Sequence, residues 1–242
     1  MPHLQSFSDR LARCCVLSGS MLKVIAVLSM LVDHVALFLL KDNPQCGMVL
    51  FVVGNRVFTP YVLCRLFGRL AFPIFAFLVV EGFMHTRNRL RYGLNLLIFA
   101  FLSEIPWNLV NGGLLTYPTQ NVLFTLLLGY LGLCAIEAYK SRWLPQAIIV
   151  IGLFAVSMFF RASFGANGYI LILAIYCLRH AKPVQAVVGM LILPFKLMVG
   201  ISFIIINMYN GKRGFIKGNA AKYLFYIIFP LHLLIIWLLQ VL

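Results

Sequence analysis

Lys23 and His34 stand eleven residues apart in one apolar stretch of the chain. On a helix that spacing turns through about 1100°, three turns and a small offset, so the two side chains share a face roughly 16 Å apart along the axis. An ammonium group at the mouth of a helix can hold phosphate. A neutral imidazole deeper in can take a proton from an attacking amine or hydroxyl. A ligand with an anionic nucleotide at one end and a reactive group on a long flexible arm would meet both, and coenzyme A, with a thioester ending its pantetheine arm, has that shape. On the topology argued below, Arg87, Arg89, Lys212 and Arg213 fall at the same mouth. The chemistry these residues suit is acyl transfer.

More polar residues interrupt apolar runs: Asp33, Arg69, Glu104, Gln120, Asn121 and His232. Ionisable groups inside a membrane span are expensive and by default mark function. Together they suggest one polar chamber. Adjacent helical residues point about 100° apart, so Asp33 is no obvious partner of His34. Asp33 is expected to pair with Arg69 across the chamber, and Glu104 to orient His34 or His232. Arg69 or the Asn121 amide could stabilise a tetrahedral oxyanion. His34 is the expected general base, and His232, near a kink at Pro230, is its rival. No Ser or Cys sits in a nucleophile motif, which favours direct transfer. The plainer reading makes Arg69 a buried structural ion-pair partner and His232 a core histidine. Glu81, beside His85, is read as interfacial, and Glu137 as paired with Lys140 or Arg142 on its own helix end.

The elements that must position these residues follow from composition. Of 242 residues, 62% are hydrophobic and 11% charged, with mean hydropathy +0.97, whereas a globular domain carries roughly 25% charge. Only a bilayer can solvate such a chain. Secreted disulfide scaffolds, disordered chains and nucleic-acid-binding modules are excluded. The 20 Lys and Arg against six acids give a net charge of +14, as expected of inward-facing loops touching anionic lipid. The six cysteines show no CxxC spacing and are read as neither disulfides nor metal ligands; no metal is expected.

Apolar runs at 21–40, 60–83, 93–110, 122–139, 145–160, 168–178, 184–207 and 223–241 give a first reading of eight spans. Charge placement argues for nine. A single helix over 184–207 would put Lys212, Arg213, Lys217 and Lys222 outside, against the positive-inside rule. Splitting that run at Pro194–Phe195–Lys196 returns the basic loop to the cytoplasm. The expected fold is therefore all-α, a polytopic integral membrane bundle of about nine transmembrane helices. Residues 1–20 read as a short cytoplasmic lead-in, not a cleavable signal, because the apolar run that follows is as long as a full span. Residues 21–242 read as one transmembrane domain.

Several stretches together resemble the TraX family, membrane proteins named for the N-acetylation of F-type conjugative pilin. They are Leu22-Lys-Val-Ile-Ala with Val32-Asp-His34, Gly68-Arg-Leu-Ala-Phe-Pro-Ile-Phe, Val80-Glu-Gly-Phe-Met-His85, Ser103-Glu-Ile-Pro-Trp107, Gln120-Asn-Val-Leu-Phe, Tyr209-Asn-Gly-Lys-Arg-Gly and Phe229-Pro-Leu-His232. The match runs in order from about residue 21 to the C-terminus. The resemblance implies an acetyl-CoA-dependent acetyltransferase of the bacterial inner membrane, with acetyl-CoA as cosubstrate and a pilin N-terminus or an envelope glycan as acceptor. The Lys-x10-His pattern is also similar to that of transmembrane acyl-CoA acyltransferases, which carry a basic residue ahead of a reactive His in their first helix.

Two other classes compete. Buried Asp, Glu, His and Arg also make proton relays, so a proton-coupled secondary transporter is one alternative. A non-catalytic pilus-assembly subunit is the other. The nine-span reading puts the N-terminus inside and the C-terminus outside, the eight-span reading both inside. An alkaline-phosphatase reporter fused after Leu242 is accordingly expected to be active, and a reporter active there only in the cytoplasm would rule nine out.

Overall fold

The computed structural model describes residues 15–113 and 116–242, without the side chains of 219–222. Most of the lead-in read for residues 1–20 lies outside the described residues. Within them, Ser18 opens helix α1 (Gly19–Val35), its hydroxyl accepting from the Met21 amide at 3.3 Å. This satisfies one of the amides a helix start leaves unpaired. The helix runs on into a π-helical turn, Ala36–Leu40. Thr59 caps α2 (Pro60–Gly68), with proline in the first turn where it removes no needed donor. After a break at Arg69–Leu70 the chain continues as α3 (Ala71–His85). Asn88 caps α4 (Arg89–Val110) and Asn121 caps α5 (Val122–Ala138). Helices α6 (Trp143–Phe159), α7 (Gly165–Cys177), α8 (Lys182–Ile192), α9 (Lys196–Asn207) and α10 (Gly218–Val241) follow.

Among the described residues, four helical segments are long and apolar enough to cross a membrane: Gly19–Leu40, Pro60–His85, Arg89–Val110 and Tyr223–Val241. The centre of the bundle is α3 and α5. Ile74, Ala76, Val80 and Phe83 of α3 and Phe124, Leu126, Tyr130 and Leu133 of α5 are buried. A helix apolar all round belongs in an interior or in lipid, and α6 takes the second course. Of its residues only Ser157 is buried, and Ile148, Ile151 and Phe159 are open to the surroundings.

The run 184–207 is broken as expected. Pro194 ends α8, and Phe195 turns the chain through a left-handed conformation (φ 61°) into α9. The two helices, of 11 and 12 residues, are each about 17 Å long, roughly half of a hydrocarbon core. They pack antiparallel, with the Phe203 ring against Gly189 so closely that a β-carbon there would overlap it.

One element departs from the all-α expectation. Strands β1 (Phe51–Val53) and β2 (Arg56–Phe58) form an antiparallel hairpin, pairing Phe51 with Phe58, Val52 with Val57 and Val53 with Arg56. The Gly54–Asn55 turn has Gly54 at φ +58°, and Val-Val-Gly-Asn-Arg-Val is a hairpin signal in its own right. Its apolar content hid it beside much longer apolar runs.

Replacing Gly189 by Ala should force Phe203 out of its seat and destabilise the α8–α9 pair by about 1–3 kcal/mol, the usual cost of overpacking. The control is Gly152→Ala in α6, where nothing lies within 4 Å of a new β-carbon. In thermal unfolding of detergent-purified protein, only Gly189→Ala should lower the midpoint.

Candidate functional site

A histidine–histidine contact joins α1 to α10. His34 Nδ1 lies 2.6 Å from His232 Nε2. The rings are parallel to within 1°, with centroids 4.9 Å apart. Rings stacked face to face cannot bring two nitrogens that close, so they lie end to end in one plane, joined by an N–H···N hydrogen bond. Its direction follows from the next link. His232 Nδ1 is 2.8 Å from the Ile228 carbonyl, which can only accept, so that nitrogen carries a proton. In a neutral ring, His232 Nε2 is then an acceptor, and His34 Nδ1 must donate to it. The lone pair left over belongs to His34 Nε2. Phe38, Trp107 and Phe229 surround the His34 ring with centroids 5.9, 6.4 and 6.3 Å away. The π-helical turn presents Phe38, and π-turns recur at functional positions. Trp107 is itself held by its indole N–H, which donates to the Thr119 carbonyl at 2.6 Å.

Asp33 faces a different helix, as its place one residue before His34 requires. Its expected partner was Arg69; the structure pairs it with Arg65. Arg65 Nη1 is 2.7 Å from the Asp33 carboxylate and 3.3 Å from the Asp33 carbonyl. Positions 65 and 69 are one turn apart, so sequence spacing alone admitted either. The break after Gly68 decides between them by turning Arg69 toward the α8–α9 tip, where its guanidinium sits 4.6 Å above the Phe195 ring. Gly68 is required here: a β-carbon would overlap the Asp33 carboxylate.

Glu104 was expected to orient a histidine. Instead its carboxylate accepts from the Asn121 side-chain amide at 2.6 Å and the Asn121 backbone amide at 3.3 Å. The same side-chain amide donates to the Ala100 carbonyl, and its oxygen caps α5 at Leu123. Asn121 is fully committed to joining α4 to α5, which conflicts with a role as oxyanion donor. The polar residues read as one chamber from the sequence thus pair as His34 with His232, Asp33 with Arg65 and Glu104 with Asn121. Glu137 accepts from the Tyr176 hydroxyl at 2.7 Å; Lys140 on its own helix end acts on it electrostatically, but no close ion pair to Lys140 or Arg142 forms among the described residues.

At the other end of α1 the basic residues divide. The carbonyls of Lys212 and Arg213 accept from the first amides of α1, Gly19 and Ser20, at 2.8 and 2.9 Å. The Lys212 and Arg213 backbone thus meets α1 one turn before Lys23, and both side chains are exposed. The Lys23 ammonium lies 5.9 Å from the Phe225 ring of α10. The Lys212 amide is taken by the Asn210 side chain at 2.9 Å, so this loop offers less free backbone to an anion than its glycines suggested. Arg89 is elsewhere, its guanidinium 4.4 Å over the Phe83 ring of α3. Arg87 is exposed, and none of the described contacts brings it to Lys23. Arg91, not singled out by the sequence, reaches the start of α10 by a 3.5 Å contact with the Tyr223 hydroxyl. Tyr209 anchors the loop to α3 through a 2.8 Å hydrogen bond to Glu81. Burial and the neighbouring Glu81 carboxylate push the Tyr209 hydroxyl above its ordinary range, so it remains the donor.

Removing one partner of the Asp33–Arg65 pair should cost about 3 kcal/mol, because the survivor is left charged among apolar helices. Arg65→Met is expected to destabilise the purified protein by that order in thermal unfolding, and the double variant Asp33→Leu/Arg65→Met to recover more than half of the loss. Additive losses in the double variant would mean that the pair is not coupled.

Residues 18–240 match the family model described as TraX protein. A similar curated protein is the probable fimbrial assembly protein FimC, serogroup H1, of Dichelobacter nodosus. It is 29% identical over an alignment 248 positions long, gaps included, that covers 89% of this chain and 93% of the relative. No solved structure matches the chain. With the family's pattern matched from the cap of α1 to the end of α10, the chain belongs to the TraX family.

Proposed function

We propose that this protein is an inner-membrane acetyltransferase that moves an acetyl group from cytoplasmic acetyl-CoA to an amine or hydroxyl acceptor at the envelope side. The observation that carries the reading is the His34–His232 pair: two imidazoles locked in one tautomeric arrangement, with a lone pair on His34 Nε2, near the far end of a helix whose start lies among basic side chains. Lys23, Lys212 and Arg213, joined by Arg91, would hold the phosphates, and the roughly 16 Å from Lys23 to His34 suits a pantetheine arm. Acetyl-CoA supplies the activated acyl carbon.

In the transfer step His34 Nε2 takes the proton of the acceptor as the acceptor's nitrogen or oxygen bonds to the acyl carbon. The carbon–sulfur bond then breaks, and the thiolate leaves with the proton that His34 returns. The hydrogen bond to His232 holds the His34 ring in place and spreads the positive charge that forms on it, as the third member of a catalytic triad does. Arg69, stacked on Phe195 at the tip of α8–α9, is the remaining candidate to stabilise the oxyanion. A second reading, a non-catalytic pilus-assembly subunit, is favoured by the name of the D. nodosus relative, and under it the buried pairs only fix how helices meet. Pilin is the acceptor that the family and that relative suggest.

The test is the mass of surface pilins and envelope glycans from cells complemented with variants, together with single-turnover acetylation by purified protein. His34→Ala should lower turnover at least about 100-fold, the usual loss for a general base, while acetyl-CoA binding persists. His232→Ala should cost less. Near-normal acetylation by His34→Ala with none by His232→Ala would exchange their roles. Unchanged masses on deletion, with no acetyl-CoA binding that Lys23→Ala weakens, would leave the assembly reading.

A further inference from the structure

The segment between Leu40 and Pro60 contributes to none of these clusters, yet it carries the most exposed apolar run outside the helices. Val49 is 61% exposed, Leu50 54%, Phe51 47%, Val52 56%, Val53 61% and Val57 48%. A strand turns successive side chains to opposite faces. Phe51 and Val53 lie on one face of the hairpin, with the Phe51 and Phe58 rings stacked 4.8 Å apart. Leu50, Val52 and Val57 lie on the other. A hairpin with one face in water alternates apolar with polar residues; this one is apolar on both. Two strands alone are marginal in water, so the surroundings must supply what a third strand or a packed helix usually would.

Its position narrows what those surroundings are. The hairpin links the ends of two membrane-length segments, Gly19–Leu40 and Pro60–His85, at the end away from Lys212 and Arg213. One and two turns below Pro60, Leu63 and Phe67 of α2 are exposed, so the hairpin continues the lipid-facing surface of that helix. Its outer edges leave backbone groups unpaired, which hydrocarbon does not tolerate. The headgroup–acyl boundary supplies both apolar contact and partners for those groups. Asn55 and Arg56 at the tip are suited to phosphate. A strand added by another protein would cover one edge, leaving apolar side chains of both faces in water.

We infer that the hairpin is a lipid anchor, lying in the headgroup–acyl boundary of the leaflet opposite the basic end with both faces against lipid. The inference is independent of the transfer chemistry. It is tested by placing the photoreactive residue p-benzoyl-phenylalanine at Val52 or Val53, one on each face, in the full chain. The protein is irradiated in native membranes and in vesicles of phosphatidylethanolamine and phosphatidylglycerol. Lipid adducts from both positions in both settings, at yields comparable to a probe at the lipid-facing Leu28, are expected. A polypeptide adduct from either position in native membranes would replace lipid by a protein partner. Loss of adducts at both positions, with Leu28 still reacting, would make the hairpin an aqueous loop.

Discussion

Among apolar helices in lipid, a polar side chain has no solvent to fall back on, so many of those that this chain buries are satisfied by another part of the protein, the Asn95 amide nitrogen and the Gln120 side-chain oxygen being exceptions among the described residues. That constraint determines which helices meet. Asp33 and Arg65 join α1 to α2, and Glu104 and Asn121 join α4 to the start of α5. Tyr176 and Glu137 join α7 to α5, while the Gln185 amide, donating to the Ile175 carbonyl at 2.8 Å, joins α8 to α7. Lipid tails are as apolar as leucine, so apolar contact by itself does little to choose one helix partner over another. The polar contacts make that choice. Close packing against Gly68 and Gly189 then sets how near the chosen partners come.

The His34–His232 contact differs from the others in what it leaves over. The Asp33–Arg65 pair balances its charges, and the Asn121 amide uses its capacity locally. The histidine chain begins at a carbonyl that can only accept, and each link fixes the direction of the next, so its last nitrogen ends with an unshared pair. The aromatic rings of Phe38, Trp107 and Phe229 keep the site poor in competing polar groups, which leaves that lone pair for whatever donor is brought to it.

The opposite end of α1 shows how distant parts of the chain build one basic mouth. Leu17 forms a parallel bridge with Tyr209, and the Lys212 and Arg213 carbonyls occupy the amides that begin α1. Ser20 completes the junction, donating to the Arg213 carbonyl and accepting from the Ile216 amide, both at 2.8 Å. The helix start is thus closed by backbone from the far end of the chain, which brings two basic residues to the turn of α1 before Lys23.

Much of this was legible from residue order. The apolar runs, the break at Pro194, the shared face of Lys23 and His34, and the divergence of Asp33 from His34 all follow from helical geometry and hydropathy, which act over a few neighbouring residues. The pairing of buried polar groups did not follow. Arg65 and Arg69 are equivalent by spacing, and only the break after Gly68, together with the approach of Asp33 to that glycine, selects Arg65. His34 and His232 are 198 positions apart, and no periodicity links them; they meet because α10 packs along α4 and reaches α1 near the far end. Which nitrogen is left to act is decided by one carbonyl, Ile228, whose orientation exists only once α10 is in place. The sequence by itself determined which groups must be buried and on which helix face. Their partners were decided by tertiary structure, because satisfying a polar group in lipid depends on which helices lie alongside it in space.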